Sequence, residues 1–298
     1  MRLETIQCPA CGCPDFQPHL EVRDRFETVS GQFFSIVRCS GCTLLYVNPR
    51  PDTESLPAYY AAEGYDPFVS SGNAASLKTT AYRFVRRFTM RRKAARVAAG
   101  LPKGGRALDV GCATGEMIVQ LKLRGFDAYG VEPNPAAAEF ARSTLGLTVW
   151  SGSIGDVPAH AGPFDLITLW HVLEHVPDLN RALKQLHGML TASGRLAIAV
   201  PNPLSLDAKV YGSTWVAWDA PRHLYDFEPA VLTALLETSG FRAERQGAVA
   251  FDAFYHCLLS EKPGAAGTVK AAVRGLQSYA RGLAGGEGSS ELYFAYKR

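Results

Sequence analysis

The stretch Leu108-Asp109-Val110-Gly111-Cys112-Ala113-Thr114-Gly115 constrains this chain more than any other, because an apolar run stops there in a turn of small residues. A strand ending this way lets a ligand approach bare backbone, and a helix starting at once offers it unpaired N–H groups. The next apolar run, Phe126 to Val131, leads into Glu132. In a parallel sheet Glu132 lies beside the turn, where a carboxylate can accept hydrogen bonds from two ribose hydroxyls. This spacing also suits a nicotinamide dinucleotide. That fingerprint requires glycine, glycine, and glycine or alanine at 111, 113 and 116, for the turn, the pyrophosphate and the helix packing. The chain has Gly111, Ala113 and Glu116 there, and a glutamate facing a pyrophosphate would repel it.

The Gly-x-Ala-x-Gly spacing of 111, 113 and 115 instead resembles the first motif of class I S-adenosylmethionine (SAM) methyltransferases. Phe164-Asp165-Leu166-Ile167-Thr168-Leu169-Trp170-His171-Val172-Leu173-Glu174-His175-Val176 is similar to that family's fourth strand and following helix, and Gly194 to Asn202 to its fifth strand. The likeness covers roughly residues 100 to 250 and is closest to the ubiquinone-type and glycan-cluster methyltransferases. It implies an α/β fold with a Rossmann-like seven-stranded sheet. It also implies that Asp109, Gly111 and Gly115 surround the methionine part of SAM, that Glu132 holds its ribose, and that Ser153 and Ile154 flank the adenine. Cys112, Ala113, Pro133, Trp170 and His171 complete the implied cofactor site. Ala113 stands where many relatives have glycine, and Ser153 where many have aspartate.

At 298 residues and 47% hydrophobic content, the chain can bury one full α/β core and still carry an appendage. The expected division is a zinc ribbon over 1–50, a linker with a basic helix over 51–100, and a methyltransferase domain over 101–298 with an insertion at about 203–228. No apolar run approaches the length of a membrane span, and Met1-Arg2-Leu3-Glu4 does not begin a signal peptide, so the expected location is the cytoplasm.

Five of the seven cysteines fall within the first 42 residues, as Cys8-Pro9-Ala10-Cys11, Cys13 and Cys39-Ser40-Gly41-Cys42. Two Cys-x-x-Cys knuckles separated by a hairpin-length insert predict a structural zinc ion held by Cys8, Cys11, Cys39 and Cys42, with Gly12 and Gly41 allowing the turns. Four thiolates leave no open position for water, which excludes a catalytic role for that metal. Cys13 is a spare thiol that could replace Cys11. Cys112 and Cys257 read as small core residues.

Between Asp66 and Asp109 there is no acidic residue, yet Lys78, Arg83, Arg86, Arg87, Arg91, Arg92, Lys93, Arg96, Lys103 and Arg106 all lie there, in a chain whose net charge is only +3. Tyr82, Val85, Phe88 and Ala95 recur at helical spacing, so the segment predicts one amphipathic helix. Its charge is read as a solvated face, or as a site for RNA, a nucleotide-linked sugar or a phospholipid surface. A second cationic helix, with Lys270, Arg274 and Arg281 opposite Val269, Val273, Leu276 and Leu283, predicts a lid over the core or a peripheral contact with a membrane.

A sulfonium methyl is already an electrophile, so an enzyme using it must mainly align it with a nucleophile. A hydroxyl acceptor also needs its proton removed, for which His223, His171 and Tyr211 are the candidate bases. Arg222 is read as a ligand for a carboxylate or phosphate, and Trp215 and Trp218 as stacking platforms. Asp207, Asp219 and Asp226 show no metal-ligand spacing, so transfer is expected to be metal-independent. The function predicted is O-methylation of a small molecule, such as a sugar, a lipid-linked glycan or a quinol-like acceptor. A zinc-ribbon RNA methyltransferase and a non-catalytic SAM-binding scaffold are the alternatives.

Overall fold

The computed structural model describes residues 1–61 and 77–298, with side chains from 87 onward in the second stretch. The loose stretch Asp66 to Ser76, and the side chains of Lys78, Tyr82, Arg83, Val85 and Arg86, lie outside the described residues.

The chain opens with β1 (Leu3–Glu4), β2 (Phe16–Arg23), β3 (Phe33–Cys39), β4 (Leu45–Val47) and β5 (Arg50–Pro51), followed by α1 (Leu56–Tyr60) and α2 (Leu77–Ala98). There follow β6 (Arg106–Val110), α3 (Glu116–Lys122), β7 (Asp127–Glu132), α4 (Pro135–Leu145), β8 (Val149–Ser151), β9 (Phe164–Trp170), α5 (Leu179–Met189) and β10 (Leu190–Pro201). The last part holds α6 (Leu206–Tyr211), β11 (Tyr225–Asp226), α7 (Pro229–Thr238), β12 (Phe241–Ala248), α8 (Asp252–Ser260), α9 (Ala265–Leu283) and β13 (Ser290–Lys297).

Seven strands form one sheet in the order β12-β13-β10-β9-β6-β7-β8. β6, β7, β8, β9 and β10 run parallel, and β13 pairs antiparallel with both β10 and β12. Strands covered on both faces need apolar side chains in both directions. Leu108, Val110, Ile167, Leu169, Leu196 and Ile198 accordingly face one core, while Ala107, Leu166, Ala197 and Ala199 face the other. This is the Rossmann-like seven-stranded sheet, and its parallel strands all end on the edge that carries the Gly111–Gly115 turn.

β1 and β5 form a two-stranded sheet, and a four-stranded sheet runs β11-β4-β3-β2. Three of its strands come from the cysteine-bearing N-terminal segment. The fourth, β11, comes from the segment after β10 and pairs Tyr225 with Tyr46 and Asp226 with Leu45. The N-terminal hairpin and the insertion therefore share one sheet.

At the hinge of that sheet lies an ion cluster. The Arg222 guanidinium is fully buried. Its Nη2 donates to Asp24 at 2.8 Å and to Asp219 at 2.9 Å, and its Nη1 donates to the Tyr59 carbonyl at 3.2 Å. Burial alone would raise the Asp24 carboxyl, but the hydrogen bonds from Arg222 and Thr28 hold it below the usual range. Arg222 is therefore a structural tie between the two segments. This corrects its reading as a ligand for an acceptor, since its donors are spent on buried partners.

Trp215 and Trp218 are likewise packed, edge to face at 5.3 Å, with their indole N–H groups donating to Asp207 and to the Gly212 carbonyl. At 2% and 5% exposure they offer no open face for stacking, which corrects that expectation too.

Candidate active site

The turn after β6 is built by left-handed backbone at Gly111 (φ +66°), Ala113 (φ +46°) and Gly115 (φ +85°). A Cβ on Gly111 would stand 2.5 Å from Val172 Cγ2, and one on Gly115 would meet Leu147 Cδ1. Both glycines thus answer a backbone demand and a close approach. The Gly111 and Cys112 N–H groups donate to the Val131 carbonyl at 2.8 and 3.2 Å, which ties the turn to the end of β7.

Glu132 sits against this turn. Its Oε2 accepts the Ala113 N–H and its Oε1 the Asn134 N–H, both at 2.8 Å. Burial raises its pKa while these two donors lower it. A carboxylate has about four acceptor directions, so two remain for hydroxyl donors. Asp109 lies beneath the turn, 3% exposed, and accepts the Thr168 hydroxyl at 2.6 Å. Burial pushes its pKa up to about 7. Pro133 is exposed at the rim, and Cys112 and Ile154 are buried. Ser153 caps the short turn Ile154–Asp156, with its N–H and hydroxyl both donating to Asp156 at 2.7 and 2.9 Å. An acidic side chain therefore stands beside Ser153, supplied from three residues later.

β9 ends in Trp170, His171 follows it, and the helix expected next is a single 3-10 turn, Leu173–His175. His171 adopts a left-handed backbone (φ +56°), and its side chain is 29% exposed. Its Nε2 lies 2.8 Å from Asp252 Oδ2, and its Nδ1 lies 3.5 Å from Glu174 Oε1. Burial works to lower the His171 pKa, but the two carboxylates prevail and raise it to about 9. Asp252 is itself held below the usual carboxylate range, against its burial, by Lys93 at 3.2 Å and by His171. Asp252 starts α8, 81 residues from its partner, and nothing in the sequence singles it out.

The other two candidate bases are engaged elsewhere. His223 is 8% exposed, with Nδ1 2.7 Å from the Ala217 carbonyl, and its ring packs edge-on against His175 at 4.6 Å. Burial lowers its pKa. Tyr211 presents its hydroxyl to the Cys257 carbonyl and to Glu261, at 3.4 and 3.2 Å, beneath the Arg274 guanidinium. Glu174, His175 and His223 bring ligand-type atoms within 4.8 Å of one another.

A groove of about 520 Å³ is lined by Lys93, Trp170, Phe251 and Tyr279 among others, so it includes the chain neighbours of His171 and Asp252 but not those two residues themselves. In α2, Lys93 lies over the Trp170 ring, and Arg96 donates to the Ala248 and Gln246 carbonyls, so these two cations of the basic helix turn inward.

A second cluster lies in the N-terminal segment. Cys8, Cys11, Cys39 and Cys42 bring their sulfurs within 4.8 Å of one another. Cys8 and Cys42 are 3.5 Å apart, as are Cys11 and Cys39, and no pair is bonded. The two knuckles repeat one geometry, with Cys8 N–H bonded to the Cys13 carbonyl and Cys39 N–H to the Leu44 carbonyl. The left-handed residues are Gly12 (φ +74°) and Thr43 (φ +64°), so the second turn is made by Thr43 and not by Gly41. Burial would raise the Cys39 thiol, but N–H groups of Cys42 and Gly41 bring it down to about 7. Cys13 turns its thiol to the Asp15 carbonyl and stands outside the four.

Known proteins resemble the chain as follows. Ubiquinone biosynthesis O-methyltransferase from Xanthomonas axonopodis pv. citri (strain 306) is 30% identical over 155 residues, covering 48% of this chain and 65% of that protein. The protein of the same name from Marinobacter nauticus is 28% identical over 42% of this chain and 57% of its own length. The chain thus spans less than two thirds of these relatives. Magnesium protoporphyrin IX methyltransferase from Synechocystis PCC 6803 with bound SAH superposes with a TM-score of 0.53 at 15% identity, over 83% of this chain and all of that one. A SAM dependent methyltransferase from Archaeoglobus fulgidus gives 0.50 at 19%, over 75% of this chain and all of that one. Both are likenesses of fold. Residues 81–246, more than half of the chain, match the family described as methyltransferase domain; with this sheet and turn, the chain belongs to the class I methyltransferase-domain family.

Proposed function

We propose that the chain transfers a methyl group from SAM to a hydroxyl of a small molecule. The observation that carries this reading is Glu132, a buried carboxylate pinned by the Ala113 and Asn134 N–H groups beside a turn of small residues that opens and closes on glycine. Such a carboxylate fits a ribose diol, and the turn fits the amino-acid arm of the cofactor. SAM supplies an electrophilic methyl and needs no further activation. The relatives named as ubiquinone O-methyltransferases favour oxygen as the atom methylated.

His171 is the base in this reading, ahead of His223 and Tyr211. Asp252 holds the ring at Nε2 and Glu174 faces Nδ1 at 3.5 Å, so the acceptor's hydroxyl delivers its proton to Nδ1 by taking the place of that longer contact. His171 is also the only one of the three whose polar atoms meet both a carboxylate and an exposed edge. The transfer needs no metal at the reacting centre. Cys8, Cys11, Cys39 and Cys42 would hold one zinc ion, whose work there is to fix the two knuckles. The acceptor is a small molecule docked in the groove beside Trp170.

The test uses SAM labelled in its methyl group, incubated with lipid and polar extracts. Label should enter one fraction, and Glu132→Ala, with its fold intact by circular dichroism, should abolish transfer. No transfer to any fraction would favour a scaffold. A rate that rises with added Mg²⁺ would contradict the metal-independent step.

A further inference from the structure

α9 is apolar on two opposite faces. Ala271, Gly275 and Ser278 are buried, and Gly275 lies so close to Phe254 of α8 that a Cβ would stand 2.8 Å from that ring. Helical periodicity puts Val269, Val273, Leu276 and Leu283 on the opposite side. There they are 64%, 51%, 59% and 67% exposed. α8 adds Tyr255, Leu258 and Leu259, 53%, 50% and 40% exposed. A stripe of large apolar side chains held in water is costly, and marks a surface that something covers.

The charges say what covers it. The nineteen residues of α9 include Lys270, Arg274 and Arg281 and no aspartate or glutamate. Arg274 is paired with Glu261 at 2.7 Å, whereas Lys270 and Arg281 are exposed along one flank of the stripe. Two copies pairing antiparallel through the stripe would line these cations along one edge, with no carboxylate in the helix to neutralise them. An anionic bilayer satisfies both features, apolar side chains entering its surface and cations meeting its headgroups. No described helix is long and apolar enough to cross a membrane, so the contact is peripheral.

The same helix lines the groove. Tyr279 and Leu283 form part of its wall together with Trp170 and Lys93, and Lys93 is tied to Asp252. We infer that α9 seats the protein on an anionic lipid surface, and that the acceptor is an amphiphile that reaches the groove from that surface. The second half of this inference rests on the methyltransferase reading above, and the first half does not.

The experiment is sedimentation of the full chain with vesicles of phosphatidylcholine alone, or of phosphatidylcholine and phosphatidylglycerol in equal parts. The protein should sediment with the anionic vesicles, less so as salt rises, and remain free of the neutral ones. Lys270→Gln and Arg281→Gln should each weaken binding about five-fold, from about 1 kcal/mol per surface cation. Val273→Glu with Leu276→Glu should abolish it, while SAH binding by calorimetry stays unchanged. Absence of wild-type protein from the anionic vesicles, or sedimentation indifferent to the double variant, overturns the proposal. A concentration-dependent dimer that the double variant dissociates, without vesicle binding, assigns the stripe to a second copy instead. Vesicle binding in a protein that fails to bind SAH leaves the docking surface standing and refutes the methyltransferase reading.

Discussion

Replacing Arg222 with methionine tests how the N-terminal segment is bound to the insertion. The guanidinium is fully buried and compensates Asp24, which is also fully buried, and Asp219, 11% exposed by side chain. Removing one partner of a buried ion pair costs about 3–5 kcal/mol, because it strands the other charge. That is a large fraction of the roughly 5–15 kcal/mol that holds a typical domain together. The loss depends on pH in a defined direction. In the native protein Asp24 titrates below its unfolded value, so it contributes stability above the unfolded pKa and loses it as pH falls through the folded one. Without Arg222, burial dominates and the folded pKa rises above the unfolded one. The variant then loses stability as pH climbs above about 4, the ordinary carboxylate value. Urea denaturation at pH 5 and pH 8 should show a wider gap between the two proteins at pH 8. A cost below about 1 kcal/mol, or an unchanged midpoint with impaired acceptor turnover, would refute the tie and restore Arg222 as a ligand.

Three further outcomes follow from the same geometry. The His171 pKa is raised to about 9, so the ring is protonated below that pH and the base form grows as pH rises. The methylation rate should therefore climb through neutral pH, reach half its maximum near 9 and level off above that, and Asp252→Asn, which withdraws a carboxylate that raises the pKa, should move the rise to lower pH while cutting the plateau; a flat profile excludes His171 as base. Metal analysis should find one zinc per chain, and Cys39→Ser should lose it together with thermal stability, the coupling expected of a structural site; stoichiometry unaffected by that change contradicts the four-cysteine site. Gly111→Ala must place a Cβ 2.5 Å from Val172 at positive φ. It should destabilise by about 1–3 kcal/mol and weaken SAH binding, which melting with and without SAH would show.

The fold was legible because its signals are local. The apolar runs ending in Gly111 and Glu132, the continuous run Phe164 to Trp170, and the paired cysteines are each read within a dozen residues. What escaped depends on distant partners. β11 is two residues long and pairs Tyr225 with Tyr46 of β4, in a distant part of the chain, so no periodicity announces it. Arg222 sits in a polar, aromatic segment that suits a ligand site, but its partner Asp24 is 198 residues earlier. Asp252 escaped for the same reason, since its meaning comes from where α8 packs. Thr43 took the left-handed place assigned to Gly41 because the knuckle needs that conformation four residues after its first cysteine, as Gly12 supplies after Cys8.

The central claim is that Glu132 and the Gly111–Gly115 turn hold SAM. Calorimetric titration of SAH into the wild-type protein and into Glu132→Ala tests it most directly. Two hydrogen bonds from hydroxyls to a charged carboxylate are each worth about 1.5–3 kcal/mol, so binding to the wild-type chain should weaken at least a hundred-fold in the variant with the fold retained. Equal affinity in the two proteins, or no binding to either, would contradict the account.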